Sequence, residues 1–303
     1  MEELISLIFR PIFPNGPKVS VIGLGTHQFS GEWGKSFSLN EVKRIISFAN
    51  DLGVNIIDTA PNYGNHLSEK LIGKSINNRK DWFIATKFGI SMTDQGREIS
   101  NYNFKYISKQ LNNSLKSLKT DYIDLYQFHS GPNNDYFNED LWSYLLKQIE
   151  KGKIRFLGNS ISNNLVDKDD SKQIESCQKY GISTIQLVYN RLSTKVEKKF
   201  LPICKKNGLG VIARVPLAKG ILSGKYIIGH YFDKNDHRNK FGNILNQELI
   251  TKAQKIKNEE VGENEMSQWS IAWCLKNKLI STVIPGCKNI DQLESNIKSY
   301  KLI

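Results

Sequence analysis

The stretch Val54-Asn55-Ile56-Ile57-Asp58-Thr59-Ala60-Pro61-Asn62-Tyr63-Gly64 sets a short apolar run directly against a polar turn that carries an acid and a phenol. Lys87 closes the next strand-like run, Trp82–Thr86, and His129 closes the one after it, Tyr122–Phe128. Four titratable side chains of four chemical types thus follow strand ends. An α/β barrel gathers its reactive groups in this way, at the ends of separate strands. Packing alone gives no reason for the coincidence.

Working outward, short β-branched runs alternate with longer amphipathic ones. Val19–Leu24, Val54–Ile57, Trp82–Thr86, Tyr122–Phe128, Ile154–Leu157, Thr184–Val188, Gly210–Val215 and Ser281–Ile284 are the strand candidates. Leu39–Leu52, Phe104–Leu118, Leu141–Ile149 and Met266–Leu275 carry apolar residues at helical spacing. Alternating strands and helices imply parallel pairing with right-handed crossovers. The pattern predicts an α/β fold, a (β/α)8 TIM barrel formed by residues 1–303 as one domain. A doubly wound sheet would bring a GxGxxG turn after the first strand. Gly23-Leu24-Gly25-Thr26 lacks the third glycine and leads into Gln28–Gly34 instead of a helix. The long segment Tyr226 to Gln247, rich in Asn, Asp, His and Gly, predicts a loop that closes over substrate or cofactor.

The 303 residues suffice for a large buried core, and 39% hydrophobic with 24% charged residues is an ordinary globular balance. The start Met1 to Arg10 carries acids where a signal peptide would carry bases, and no run is long enough to span a membrane. Cys177, Cys204, Cys274 and Cys287 are widely spaced, which predicts a reduced, cytoplasmic protein without a structural metal site. The net charge of +12 is spread over helix-like segments with acids mixed in, so it describes solvated faces and not a nucleic-acid stripe. It still favours an anionic cofactor or substrate.

The order Asp-Thr-Ala-x-x-Tyr-Gly, Thr-Lys, Leu-Tyr-x-x-His resembles the catalytic tetrad of the aldo-keto reductases, and the likeness runs from Val19 to Gly286. It implies that Arg10 to Pro17, with its Asn-Gly turn, is a β-hairpin closing the barrel bottom. It implies an oxidoreductase that reduces a carbonyl by hydride transfer from NADPH, with Asp58, Tyr63, Lys87 and His129 catalytic. Tyrosine, with a pKa near ~10, is a poor acid unless a cation favours its phenolate. Lys87 is placed to be that cation, Asp58 to hold it charged, and a neutral His129 to orient the carbonyl.

The same resemblance assigns the cofactor contacts. Gly25 and Thr26 follow the first strand; Ser160 and Gln186 would meet the nicotinamide carboxamide, although Ile161 stands where relatives have Asn, leaving Asn159 or Asn163 to compensate. Arg214, Pro216, Leu217, Gly220 and Lys225 match the segment that stacks on the ring and wraps the pyrophosphate. Arg214 replaces an aromatic residue; a planar guanidinium stacks on a flat ring or binds an acidic substrate group. Ile284, Gly286, Lys288, Gln292 and Asn296 form a strand, turn and helix start suited to the adenosine end, with Lys288 favouring the 2′-phosphate of NADPH over NADH.

Departures from the family bear on substrate. His27 stands where relatives often have Trp, with Phe29 and Trp33 close behind, and the chain stops at Ile303 without the C-terminal loop that narrows many relatives' sites. An open, polar mouth suits a polar or sugar-derived carbonyl as the small-molecule partner. The competing reading is a nicotinamide-binding regulatory subunit of the potassium-channel β type with little turnover, although no feature points to a membrane partner. A metal-dependent barrel hydrolase would want His-x-His at the first strand, which is missing.

Overall fold

A computed structural model describes residues 7–93, 95–232, 236, 238–239 and 242–303. Its strands are β1 (Phe9–Pro11), β2 (Lys18–Ser20), β3 (Leu24–Gly25), β4 (Ile56–Asp58), β5 (Phe83–Phe88), β6 (Ile90–Met92), β7 (Glu98–Ser100), β8 (Ile123–His129), β9 (Ile154–Ser160), β10 (Ile182–Val188), β11 (Gly210–Arg214) and β12 (Ile280–Val283). Eight of them pair in parallel, in the order β12-β11-β10-β9-β8-β5-β4-β3. The bridges Ile22↔Val283 and Gly25↔Gly286 then join the first strand to the last, so the sheet closes on itself. The eight-stranded α/β barrel is the fold the sequence predicts.

The antiparallel pair β1–β2 is the expected hairpin. It plugs one end of the barrel: Ile12, fully buried, packs with Ile56, Ala85, Leu125 and Ile212 from the strands. Arg10 ties the hairpin down by donating to the carbonyls of Ile280 (2.7 Å) and Leu275 (3.0 Å). At Gly210 a side chain would meet the Ile12 carbonyl oxygen at 1.6 Å, so the plug seats only against a residue without Cβ.

The outer helices form for local reasons. Leu39–Asp51 starts at Ser38 with a capping box to Glu41 and buries Val42, Ile45, Ile46 and Ala49 as one stripe. The tight core of Phe88, Tyr126, Phe128, Tyr136, Trp142 and Tyr180 fills the space outside β5 and β8 with edge-on, tilted and stacked ring pairs.

The structure corrects two expectations and adds one element. The run Val19–Leu24 is two elements, because β2 belongs to the hairpin and the chain joins the barrel after it, through the Ile22 bridge and β3. An additional hairpin, β6–β7, follows β5 directly. The stretch Tyr226–Gln247 is not loop throughout: a helix, Asn243–Ile256, begins inside it. Residues 233–235, 237, 240 and 241 of that stretch lie outside the described residues.

Candidate active site

Side chains on a strand alternate faces, so residues two apart share one side. On β4, Ile56 points into the plugged interior and Asp58, two residues on, points into the mouth. The chain then turns through Pro61 and carries Tyr63 back over the strand ends, with Gly64, Asn65 and His66 all at positive φ. The carbonyl of Asp58 accepts from both the amide (3.1 Å) and the hydroxyl (2.9 Å) of Thr26, which fixes the end of β3 to the end of β4.

The four predicted residues meet. Lys87 Nζ, 1% exposed, donates to Asp58 Oδ1 at 2.6 Å, to the Thr59 carbonyl at 2.8 Å and to Tyr63 Oη at 3.5 Å. Burial works against a charged amine there, but the attraction of Asp58 and Tyr63 wins and holds Lys87 above the ordinary lysine range. Burial likewise keeps the Tyr63 phenol above its usual range, with the Lys87 charge acting in the opposite sense. Burial, then the charges of Lys87 and Arg214, push His129 well below the usual imidazole range, so it is neutral near pH ~7. Its backbone carbonyl accepts from Tyr102 Oη at 2.7 Å, which locks the end of β8.

These groups open into a cleft of about 820 Å³. Of the residues predicted from sequence, Gly25, Thr26, His27, Trp33, Asp58, Tyr63, His129, Gln186, Arg214, Pro216, Leu217, Gly220, Lys225, Ile284, Gly286, Lys288, Gln292 and Asn296 all line it. Lys87 lies beneath its floor. The cleft needs glycine where its walls converge: a Cβ on Gly25 would stand 2.5 Å from the Ile284 carbonyl oxygen.

Two predicted contacts lie elsewhere. Phe29, expected in the substrate pocket, is 1% exposed and packs edge-on against Phe37, because the short helical turn His27–Ser30 rotates it into the core. Ser160 is 1% exposed behind Gln186, whose Oε1 accepts from its hydroxyl at 3.4 Å. Gln186 turns its own amide to Asp58 Oδ2 at 2.8 Å.

His27 stacks on Tyr63, centroids 4.2 Å apart, and its Nε2 lies 3.0 Å from Glu32 Oε2, while Trp33 meets it edge-on. Arg214 reaches across to the Ile161 carbonyl at 3.0 Å and to Asn163 Oδ1 at 3.5 Å. Beyond it the backbone is left-handed at Val215, Ala218, Lys219 and Gly220. At the far end Lys288 Nζ donates to the Trp33 carbonyl at 2.8 Å. Burial and the charges of Arg238, Lys225 and Lys35 draw its ammonium below the ordinary lysine range.

Sequence reasoning missed Asn62, Lys219, Tyr226 and Arg238, which line the cleft, and Gln127, which supports its floor. Arg238 donates to Tyr226 Oη at 2.5 Å and to the Lys219 carbonyl at 3.4 Å, and pairs with Asp236 at 2.6 Å. Gln127 was findable, because strand alternation puts it on the same face as Leu125 and His129.

Among the described residues no helix is long and apolar enough to cross a membrane. The sequence model of the aldo/keto reductase family matches residues 21–302. The uncharacterized oxidoreductase YqkF of Bacillus subtilis is 32% identical over 93% of this chain and 87% of its own. An aldo-keto reductase of Schizosaccharomyces pombe named with NADP(+) is 31% identical over 94% of this chain and 84% of its own. Among solved structures, the glycerol dehydrogenase of Gluconobacter oxydans superposes with a TM-score of 0.81 at 25% identity, covering 96% of this chain and 89% of that one.

Proposed function

The chain belongs to the aldo/keto reductase family, and on that premise we propose that it reduces an aldehyde or ketone to an alcohol with NADPH, Tyr63 giving the proton to the carbonyl oxygen. The observation that carries this reading is Lys87 Nζ set between Asp58 Oδ1 and Tyr63 Oη. NADPH, when bound, supplies the hydride. The protein's part is to have an acid ready at the oxygen. Tyr63 stays protonated at rest because of its burial, and the Lys87 charge lowers the cost of the phenolate as negative charge reaches the oxygen. Neutral His129 donates to the same oxygen and fixes the angle of the carbonyl.

The residues present suit a dinucleotide phosphate. Lys225, Arg238 and Lys288 line one wing of the cleft, and the crowding that lowers Lys288 is relieved by an anionic group. We assign Lys288 to the adenosine 2′-phosphate, which makes NADPH the preferred cofactor, and Gln292 and Asn296 to the adenine side. Gly25, Thr26, Ile284 and Gly286 form the walls there. Pro216, Leu217, Gly220 and Lys225 take the pyrophosphate, and Arg214 and Gln186 face the nicotinamide end. Asn62, Trp33 and the His27–Glu32 pair give the mouth polar hydrogen-bonding groups, which favours a hydroxylated or sugar-derived carbonyl over a small aromatic aldehyde.

The test is loss of NADPH absorbance with a panel of sugar-type and aromatic carbonyls, for the unchanged protein, Tyr63→Phe and Lys288→Ala. Tyr63→Phe loses about 100-fold or more in kcat, as removal of a general acid requires. Lys288→Ala loses affinity for NADPH but not for NADH. No turnover of any carbonyl despite tight NADPH binding would overturn the enzyme reading in favour of a regulatory binding subunit, and preference for aromatic aldehydes would overturn the substrate class.

A further inference from the structure

Asp58 is held by more donors than an ion pair requires. Lys87 occupies Oδ1, while Oδ2 accepts from Gln186 Nε2 at 2.8 Å and from Gln127 Nε2 at 3.1 Å. Gln127 has no exposed surface and sits on β8, two residues before His129. Its Oε1 accepts from Gln186 Nε2 at 3.1 Å, so the two amides brace each other across the barrel, from β8 to β10. Gln186 lines the cleft and Gln127 does not. Gln127 therefore reaches the chemistry only through Asp58 and Gln186.

We propose that Gln127 is a positioning residue that keeps the Lys87–Asp58 pair in its charged form, by donating to the carboxylate oxygen that Lys87 leaves open. A buried pair of this kind has two forms of equal net charge. The proton stays on Nζ, giving ammonium and carboxylate, or the N–H bond breaks and an Oδ1–H bond forms, giving amine and carboxylic acid. Burial favours the second form, because it removes two desolvated charges. Arg214 lies close enough to Asp58 and Tyr63 for its charge to be felt there, while His129 is held neutral and the carboxylate of Glu32 at the mouth is engaged by His27. Two N–H donors on Oδ2 tip the balance back, since hydrogen bonds to a carboxylate favour its ionised form. Only the ammonium form presents Tyr63 with a positive charge. Fully satisfied polar groups are also what a buried network needs to hold one geometry.

The inference rests on the reading of Tyr63 as proton donor for its kinetic consequence, but not for its protonation consequence. Gln127→Leu keeps the side chain's bulk and removes the donor; Gln127→Met serves if the leucine variant does not fold. Lysine labelled with carbon-13 lets the ε-methylene of Lys87 report amine or ammonium directly, with Lys87→Met identifying its signal. The expected result is an ammonium signal in the unchanged protein that moves toward the amine position in the variant at neutral pH. Alongside it, kcat falls about tenfold or more, a part of the acid's full contribution, while KM stays within about twofold. A Lys87 signal that does not move overturns the proposal, whatever the rate does. A signal that moves while kcat stays unchanged supports the proposal and counts against Tyr63 as the acid.

Discussion

Two layers of side chains fill the barrel two residues apart on the same strands, and they differ in every chemical respect. Ile56, Ala85, Leu125 and Ile212, with Ile12 from the hairpin, make an apolar layer. Asp58, Lys87, Gln127 and Arg214 stand one pleat repeat further along β4, β5, β8 and β11, roughly 7 Å away at the rise of a strand. The lower layer needs only volume and shape. The upper layer is stable only while every group has its partner, and the dry floor beneath it is what makes its charges effective.

That contrast can be broken most violently in the upper layer. Asp58→Asn leaves the Lys87 ammonium buried without a counter-charge, so it costs about 3–5 kcal/mol of stability and at least about 100-fold in kcat. Urea unfolding and NADPH turnover measure the two; a variant as stable as the unchanged protein would mean that the Lys87 charge is compensated by some other group. In the lower layer Leu125→Ala costs about 2–5 kcal/mol by leaving a cavity, with kcat/KM within about twofold. A rate that falls with stability would show that the layers are not separable.

The pH dependence of stability distinguishes the layers further. The unfolded chain protonates His129 near pH ~6.5, whereas the folded one resists far below that. The unfolded state therefore binds the proton first, and folding loses up to about 1.4 kcal/mol per pH unit on descending below ~6.5. Between about pH 7 and pH 5 the unchanged protein should lose roughly 1–2 kcal/mol more than His129→Asn in parallel denaturation curves. Equal losses would place the acid sensitivity in other groups. The smallest effect is expected at Val215, a β-branched residue at φ 60° whose carbonyl accepts from Asn190 at 2.9 Å. Val215→Gly relieves that strain and gains up to about 1 kcal/mol, read as a rise in Tm; a fall would mean that the valine side chain's packing outweighs its backbone strain.

The contrast also explains what the sequence made legible. Runs such as Tyr122–Phe128 are buried on both faces and read directly as strands, and the titratable residues at their ends are conspicuous. Gln127 hides inside such a run: an amide between Tyr126 and Phe128 looks like an interruption until its partners across the barrel are seen. Phe29 misleads for the opposite reason, since a single helical turn of irregular backbone decides whether it faces cleft or core. Arg238 and Tyr226 come to the cleft from a segment without periodicity. The split of Val19–Leu24 follows from a bend in one continuous apolar run, where β2 and β3 answer to different neighbours.

The barrel's circumference closes at the junction of β3 and β12, where the bridges at Ile22 and Gly25 are held by backbone hydrogen bonds from Gly23 to Val283 (2.7 Å), from Val283 to Val21 (2.9 Å) and from Gly25 to Pro285 (3.0 Å). The cleft lies along that junction, with Gly25 and Thr26 on one bank and Ile284, Gly286 and Lys288 on the other. A molecule bound there rests on both ends of the hoop at once. It acts as a removable clasp, and by mass action a ligand at about a hundred times its Kd tightens the folded state by about 2.7 kcal/mol. The place where the two ends of the ring meet is thus also the place where it is fastened by what it binds.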